Sequence, residues 1–324
     1  LYRTSPRAKP EALAAFHTRE YIAALQAAET EGAVSDATRA RHGLGTLSNP
    51  VFPEMYRRPA TAVGGGLLAA EMVMSGAVRA VHNAGGGTHH ALAGQAAGFC
   101  FLNEPVLTIL HLQRLGARRV AYVDIDAHHG DGVEIAFHGS EDVRVISVHE
   151  DRRWPFTGAL EDTGGGAAFN LPVPRGFNDS EFAYVLDEMI LPAVAAFRPD
   201  AVFLQCGADA LTEDPLSRLE LSNNSHFRAV RALFDLAPRL VTSGGGGYNP
   251  WSVARCWAGV WAMLSGQEIP DDLPPGARAL LAGLTWSRKG RPGPQLLTTL
   301  RDAPREGPIR DEVRAGVAHL RGRL

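Results

Sequence analysis

The sequence predicts an α/β fold in which a mainly parallel β-sheet lies between layers of helices. The 324 residues are 45% hydrophobic and 21% charged, which is enough apolar material for a large buried core. Short apolar, β-branched runs alternate along the chain with longer runs of helical periodicity. Such alternation is typical of parallel sheets, because the connection between two parallel strands carries a helix across one face of the sheet.

Six segments repeat apolar residues at the spacing of an amphipathic helix. They are residues 10–29, 60–80, 179–197, 224–237, 251–266 and 309–320. Five shorter segments predict strands, at residues 77–83, 118–126, 143–149, 200–209 and 239–247. The stretch 286–308 is rich in Pro, Gly and Arg, so we expect it to be irregular. We predict a single domain over residues 1–324, with 286–324 as a C-terminal wrapping segment and helix.

Four of the five predicted strands run at their carboxyl ends into glycines or ionisable side chains. These continuations are AGGGTHH at 84–90, AHHGDG at 127–132, Asp209, and GGGGY at 244–248. In parallel α/β sheets the binding site lies beyond the carboxyl ends of the strands. We therefore expect these distant segments to converge on one site.

Composition limits the class of partner. Arginine and lysine number 32 and aspartate and glutamate 35, so no net field attracts nucleic acid or an anionic membrane. Cys100, Cys206 and Cys256 lie in apolar surroundings without a CxxC pair, which is typical of reduced cytosolic thiols. No apolar run reaches the roughly 18–20 residues of a membrane span, and no signal peptide is visible. We predict a soluble cytoplasmic protein without a nucleic-acid or membrane partner; its oligomeric state stays undetermined.

Asp126 and His128 lie two residues apart at the end of a predicted strand, so in extended chain their side chains point the same way. Asp209 adds a second carboxylate. One imidazole and two carboxylates suit Zn²⁺ or Fe²⁺ with positions left open for water. The alternative is a buried ion pair between Asp126 and His128, with Asp209 capping a helix. The residues alone leave both interpretations open.

His89 and His90 follow three glycines, where the backbone can approach a ligand closely. Alone, the two histidines could be metal ligands, general bases or surface residues. Asp124 and Asp131 remain once a metal is ligated, and each could hold one imidazole in its tautomer and raise its basicity. Two such pairs beside a metal favour hydrolytic chemistry.

Tyr248 follows four glycines, in a loop from which a phenol could donate a hydrogen bond to an oxyanion. A phosphate-binding loop is the rival interpretation, but no Lys-Ser or Lys-Thr follows the glycines. The chain has no GxSxG motif, and Cys100 lies in the apolar stretch GFCFL. A covalent nucleophile is therefore not predicted.

Six motifs, in this order and spacing, resemble those of the zinc-dependent histone deacetylase superfamily. They are GGGTHHA, GFCFLNE, YVDIDAHHGDGVE, ISVHE, QCGAD and SGGGGYN. The resemblance runs from Phe16 to about Gly266 and is closest to the bacterial acetoin-utilization deacetylases. It implies the arginase-deacetylase fold, a three-layer α/β arrangement with a mainly parallel sheet of about eight strands.

The resemblance implies two metal sites. The first would hold Zn²⁺, or Fe²⁺ in the cell, through Asp126, His128 and Asp209. The second would hold a structural K⁺ or Na⁺ through backbone carbonyls and one hydroxyl, at Asp124, Asp126, His128, Ser147 and Val148. The second ion would help to offset the buried carboxylates.

The resemblance also implies catalytic roles. His90, backed by Asp131, would act as general base and then as general acid. His89, backed by Asp124, would orient the attacking water. Tyr248 would polarise the acetyl carbonyl and stabilise the tetrahedral oxyanion. Acetate and a free amine would be the products.

A substrate channel is implied as well. Phe99 and Trp154 resemble the aromatic pair that clamps the aliphatic arm of acetyl-lysine, and the carbonyl of Gly98 would accept the substrate amide. Either ring could instead be ordinary core. Leu216 stands where polyamine deacetylases place an acidic residue, and an apolar side chain has no charge to select a cationic amine. We therefore predict acetylated proteins or peptides as substrates.

Three features depart from the family pattern. Ser48 and Asn49 stand where relatives that grip a peptide backbone carry an acidic residue. Phe156 replaces the first glycine of the usual Pro-Gly-Thr-Gly loop. The family's N-terminal strand and first helix, expected ahead of Leu1, are missing from the sequence as given.

Two other functions stay open. The chain could deacetylate small acetylated amines such as polyamines, or it could bind acylated lysine without turnover. Arginase-like ureohydrolases share the fold but need a second carboxylate near Asp209, where the sequence offers only the more distant Asp214.

Overall fold

A computed structural model describes residues 1–288 and 291–324. Six parallel strands form one sheet in the order β1-β6-β5-β2-β3-β4. The strands are β1 Ala80–Asn83, β2 Val120–Asp124, β3 Val143–Glu150, β4 Ala168–Val173, β5 Ala201–Gln205 and β6 Leu240–Ser243. From β2 the chain builds outward to β3 and β4, and then returns to add β5 on the other side of β2. A crevice at such a reversal is the usual binding site of an open α/β sheet.

Thirteen α-helices accompany the sheet in the described ranges. They are α1 Pro10–Leu13, α2 Arg19–Glu31, α3 Asp36–His42, α4 Arg57–Met74, α5 Glu104–Arg114, α6 Asp131–Ala136, α7 Asp179–Val185, α8 Leu191–Phe197, α9 Asn223–Leu236, α10 Pro250–Ser265, α11 Pro275–Ala282, α12 Gln295–Thr298 and α13 Asp311–Arg321. None of them is long and apolar enough to cross a membrane.

Alternating residues of β2 show how the layers are built. Val120 and Tyr122 pack with apolar residues of α4 and α5, whereas Ala121 and Val123 pack with those of α7 to α10 and α13. Successive side chains of a strand point to opposite faces, so a fully apolar strand needs helices on both sides. The predicted three-layer α/β architecture is confirmed.

The five predicted strands are all present, although the sheet has six strands in the described residues where the family resemblance implied about eight. The sixth, β4, was not predicted because its sequence AFNLPV contains Asn170 and Pro172. Proline removes a backbone donor and is tolerated mainly at sheet edges. Since β4 is an edge strand, Pro172 leaves the ladder to β3 intact.

The helix predictions needed three corrections. The segment 10–29 forms two helices, because Thr18 accepts a hydrogen bond from the N–H of Tyr21 and starts α2. The segment 179–197 contains a five-residue π-helical stretch, Leu186–Ile190, which ends two residues before Pro192. Proline lacks the N–H that an uninterrupted α-helix needs. The segment 60–80 ends at Met74, which leaves room for β1.

Helix α5 was not predicted, because its sequence EPVLTILHLQR is apolar on most sides. Eight of its residues are buried, so it lacks the polar face that reveals a surface helix. Within the wrapping segment, α12 interrupts the predicted irregular chain, and residues 289–290 lie outside the described ranges. The last helix, α13, matches the prediction.

Candidate active site

The site lies at the carboxyl ends of β2 and β5, on the two sides of the chain reversal. Asp124 is the last residue of β2, and Asp126 and His128 follow it directly. Asp209 lies in a short 3₁₀ turn after β5. Hydrogen-bonded pairing of the neighbouring strands β2 and β5 therefore brings together residues more than 80 positions apart.

Asp126, His128 and Asp209 form a compact, buried group. One ligand atom from each side chain lies within 4.8 Å of the other two. His128 Nδ1 is 2.9 Å from Asp209 Oδ2 and 3.2 Å from Asp126 Oδ1. The structure thus brings together the three predicted metal ligands.

Each of these carboxylates is held by hydrogen bonds at the oxygen that lies away from His128. Asp126 Oδ2 accepts from Gln205 Nε2 and from the N–H of Gly246, both at 2.8 Å. Asp209 Oδ1 accepts from the N–H of Ala127 at 2.9 Å. The other oxygen of each carboxylate, Asp126 Oδ1 and Asp209 Oδ2, faces the imidazole of His128. The hydrogen bonds therefore hold the three side chains in place as a set of possible ligands.

The donor set fits a divalent cation. Asp126 and Asp209 are almost completely buried, and burial together with the charge of Asp126 raises the pKa of Asp209 to about 6. Two carboxylates that share so small a buried space need positive charge to be stable. A Cβ at Gly246 would overlap Asp209 Oδ2, so glycine there lets the loop close over the group. One nitrogen and two oxygen donors suit Zn²⁺ or Fe²⁺.

The two predicted His–Asp pairs form beside this group. His89 Nδ1 is 2.8 Å from Asp124 Oδ2, and His90 Nδ1 is 2.7 Å from Asp131 Oδ1. The two Nε2 atoms lie 3.0 Å apart. Both imidazoles are therefore buried and oriented by a carboxylate, which excludes the surface interpretation of this pair.

The pKa values of the two histidines are shifted in opposite directions. Burial lowers the pKa of His89, but the charges of Asp124 and Asp126 outweigh that effect and raise it to about 9. Burial and the charge on His89 lower the pKa of His90 to about 4. Near neutral pH His90 is thus the neutral member of the pair, which is the form that can accept a proton.

Hydrogen bonds from the N-terminal end of α5 hold the loop that carries the histidines. Glu104 Oε2 accepts from the N–H of Gly87 at 2.9 Å. Asn103 Nδ2 donates to the carbonyls of His89 and Ala91 at 3.2 and 2.9 Å. The start of α5, a helix that was not predicted, therefore holds the backbone of the loop that carries both imidazoles.

Tyr248 lies at the end of the glycine run and is tied to the ligand loop. The N–H of Ala208 donates to the carbonyl of Gly246 at 2.6 Å, and the N–H of Tyr248 donates to Asp214 Oδ2 at 2.6 Å. Burial and the charge of Asp209 raise the pKa of Tyr248 above its usual value. The phenol therefore keeps its proton and can act as a hydrogen-bond donor.

Three of the four predicted channel residues, Gly98, Phe99 and Trp154, lie beside His90 or Tyr248. The ring centroids of Phe99 and Tyr248 are 5.7 Å apart, and those of Trp154 and His90 are 4.6 Å apart. Gly98 lies between Trp154 and His90, and a Cβ at Gly98 would overlap the indole. Phe99 is 51% and Trp154 39% exposed, so neither ring is ordinary core. Leu216 donates its N–H to Asp214 Oδ1 at 2.8 Å.

Ser147 and Val148 lie on β3, and Ser147 is the register partner of Asp124. The hydroxyl of Ser147 is 2.9 Å from His149 Nδ1. These positions lie next to the ligand segment, and the structural K⁺ or Na⁺ stays a prediction.

Three residues of the site were not predicted from the sequence: Gln205, Tyr122 and Asp214. Gln205 also donates to the carbonyl of Gly87 at 3.2 Å, and so links the histidine loop to Asp126. The hydroxyl of Tyr122 donates to Asp124 Oδ2 at 2.6 Å. Asp214 appeared only as a carboxylate too distant for a second metal. The available signal was a glutamine and a tyrosine in otherwise apolar strands, because a buried polar group requires a partner.

The chain is similar to proteins of one family. A family profile, described as histone deacetylase domain, matches residues 2–264. Acetoin utilization protein AcuC of Bacillus subtilis is 37% identical over 84% of this chain and 73% of that protein. Histone deacetylase 8 of Xenopus tropicalis is 35% identical over 82% of this chain and 73% of that protein.

Solved structures give the same result. An HDAC homolog from Aquifex aeolicus superposes with a TM-score of 0.92 at 36% identity, over 98% of this chain and 87% of that one. An HDAC homolog complexed with SAHA superposes with a TM-score of 0.92 at 35% identity, with the same coverage.

Proposed function

The chain belongs to the histone deacetylase family and is an enzyme of that type, and we propose that it hydrolyses the acetyl amide of N-ε-acetyl-lysine in proteins or peptides. The observation that carries the proposal is the buried Asp126–His128–Asp209 group with two His–Asp pairs beside it. A metal site next to positioned acid–base groups is the arrangement of a metal-dependent hydrolase.

Asp126, His128 and Asp209 would hold Zn²⁺, or Fe²⁺ in the cell. When bound, such an ion polarises a carbonyl and lowers the pKa of water. The hydrogen bonds from Gln205 and Gly246 keep Asp126 in place for this task. We include in the proposal a structural K⁺ or Na⁺ at Asp124, Asp126, His128, Ser147 and Val148.

His90 is the proposed general base. Its low pKa leaves it neutral near pH 7, and Asp131 at Nδ1 directs Nε2 toward the centre of the site. It would take a proton from the attacking water and then give that proton to the leaving amine. His89, whose pKa is raised by Asp124, would orient the water and supply positive charge.

Tyr248 is the proposed oxyanion donor. The phenol is protonated, since burial raises its pKa, and its loop is tied to the ligand loop by the hydrogen bond between Ala208 and Gly246. A donor held in place before the reaction stabilises the oxyanion without any reorganisation.

Phe99 and Trp154 are the proposed walls of the acyl-lysine channel. Both rings are partly exposed and each touches a proposed catalytic residue, Tyr248 or His90. The carbonyl of Gly98 would accept the substrate amide, and Leu216 would line the rim. Together these groups would bind an uncharged aliphatic arm rather than a cationic one.

A second candidate function is deacetylation of small acetylated amines. Asn49 is fully buried and donates to the carbonyl of Cys100 at 3.1 Å, so it does not face a peptide. A loop that presents Ser48 and a buried Asn49 offers no carboxylate to grip a peptide backbone. This observation favours a substrate without a long backbone.

The test is acetate release by zinc-loaded protein from an acetyl-lysine peptide and, in parallel, from acetylated spermidine. Metal-stripped protein is the control and should release none. Faster turnover of the peptide supports the proposal, whereas faster turnover of the polyamine supports the second candidate. Release from neither substrate would contradict both, and would leave a module that binds acyl-lysine without turnover. We further propose that residues 1–324 form a single cytoplasmic deacetylase domain.

A further inference from the structure

We propose that Asp214 is a positioning residue that fixes the backbone of Tyr248 and thereby the place of its phenol hydroxyl. The inference rests on the proposed deacetylase function. Both oxygens of the Asp214 carboxylate are engaged: Oδ2 accepts from the N–H of Tyr248 at 2.6 Å, and Oδ1 accepts from the N–H of Leu216 at 2.8 Å. One side chain thus joins the proposed oxyanion donor to a residue of the proposed channel rim.

Tyr248 needs such an anchor because it follows the glycine run 244–247. Glycine leaves the backbone more freedom than any other residue does. The bonds of Gly246 to Ala208 and Asp126 fix the middle of the run, two residues before Tyr248. The bond to Asp214 acts at Tyr248 itself. An oxyanion donor has to be held to within about 0.5 Å, so a hydrogen bond to the backbone of this residue should affect the turnover rate directly.

The surroundings of Asp214 hold this residue in place. The residue is only 5% exposed, and its own N–H donates to the carbonyl of Leu211 at 2.9 Å. The neighbouring residues form a second hydrogen bond between the two segments. Asn249, which follows Tyr248, donates from Nδ2 to the carbonyl of Glu213, which precedes Asp214, at 3.3 Å. Burying a carboxyl group costs free energy unless it is hydrogen-bonded, and both oxygens of Asp214 accept N–H groups.

Asp214→Asn changes this support with little change in volume. The asparagine oxygen can still accept from one N–H group. Its NH2 group, which is a donor, would then face the other N–H group and could not accept from it. Asp200→Asn is a matched control. Asp200 Oδ2 accepts from the N–H groups of Arg118 and Arg119 at 2.8 and 2.9 Å, and it immediately precedes β5 at the opposite end of the sheet.

The experiment measures kcat, KM and bound zinc for the wild type, D214N, Y248F, the double variant and D200N. We expect D214N to retain its zinc and to lose at least about tenfold in kcat, because a displacement of about 1 Å can cost roughly 100-fold. In the Y248F background the same substitution should lower kcat by less than about twofold, since no hydroxyl remains to be positioned. Any effect on KM through Leu216 should persist in both backgrounds, and D200N should match the wild type.

An equal loss of kcat in both backgrounds, or no loss, would overturn the proposal. Amide hydrogen exchange of the peptide that contains Tyr248 provides a readout without turnover. D214N should speed that exchange by about tenfold and D200N should not; unchanged exchange in D214N also overturns the proposal. If the wild type released no acetate, the proposed function would fail, while the exchange result would still decide whether Asp214 holds Tyr248.

Discussion

The indole ring of Trp154 stands edge-on to the imidazole of His90, with ring centroids 4.6 Å apart and an interplanar angle of 75°. The indole also covers Gly98, where a Cβ would overlap it. In the proposed channel, a substrate arm that reaches His90 would pass along this ring. The position of Trp154 connects the shape of the proposed channel to the proposed general base.

Trp154→Ala should lower kcat/KM for an acetyl-lysine peptide by about tenfold. Loss of a large aromatic wall removes on the order of 1.5 kcal/mol of contact with the aliphatic arm. Steady-state kinetics would measure the change. Trp261→Ala is the control, because Trp261 is 51% exposed on the outer part of α10. Unchanged kinetics in Trp154→Ala would remove this residue from the channel.

Tyr248→Phe should lower turnover by roughly 100-fold and leave the zinc content unchanged. Phenylalanine keeps the ring contact with Phe99 but removes the oxyanion donor, a loss that typically costs this much. Single-turnover acetate release and elemental analysis would check both expectations. Tyr184→Phe, on helix α7, is the matched control. Near-normal turnover in Tyr248→Phe would exclude the phenol from the mechanism.

Asp209→Ala should weaken zinc binding by at least about 100-fold, because one of the three proposed ligands is lost. Equilibrium dialysis against a zinc buffer would measure the affinity. Asp200→Ala, at the other end of β5, should bind zinc like the wild type. Full occupancy in Asp209→Ala would contradict the ligand assignment.

The sequence alone predicted the three-layer architecture and five strands, because short apolar runs that alternate with longer amphipathic ones permit few arrangements. It missed β4, whose Pro172 is permitted only by an edge position that topology decides. It missed α5 because a buried helix has no polar face to reveal its period.

The site could be predicted where chemistry and spacing coincide. Asp126 and His128 are two residues apart on a strand end, and the structure brings Asp209 to them. The pairings of Gln205 with Asp126 and of Asp214 with Tyr248 could not be predicted, because the partners lie 79 and 34 residues apart in the chain. Only the packing of strands and loops reveals such pairs.

Glu104 gives the protein a pH-dependent stability that can be tested apart from catalysis. Its carboxylate is buried at the start of α5 and accepts from Gly87, Asn83 and Thr108. Burial raises its pKa to about 7, against a usual value of 4.5. The folded protein therefore holds this proton more tightly than the unfolded chain does.

Between about pH 4.5 and 7 the folded state binds more protons at Glu104, so the contribution of this carboxyl to the free energy of unfolding falls as the pH rises through this window. The loss amounts to on the order of 3 kcal/mol and is complete above pH 7. Glu104→Gln should remove this contribution, so the wild type should lose stability relative to Glu104→Gln as the pH rises, and urea unfolding at several pH values would measure the difference. The exposed Glu161→Gln should retain the wild-type slope. Parallel pH profiles for the wild type and Glu104→Gln would show that this carboxyl does not hold a proton in the folded state, and that hydrogen bonds from the histidine loop are enough to keep it ionised.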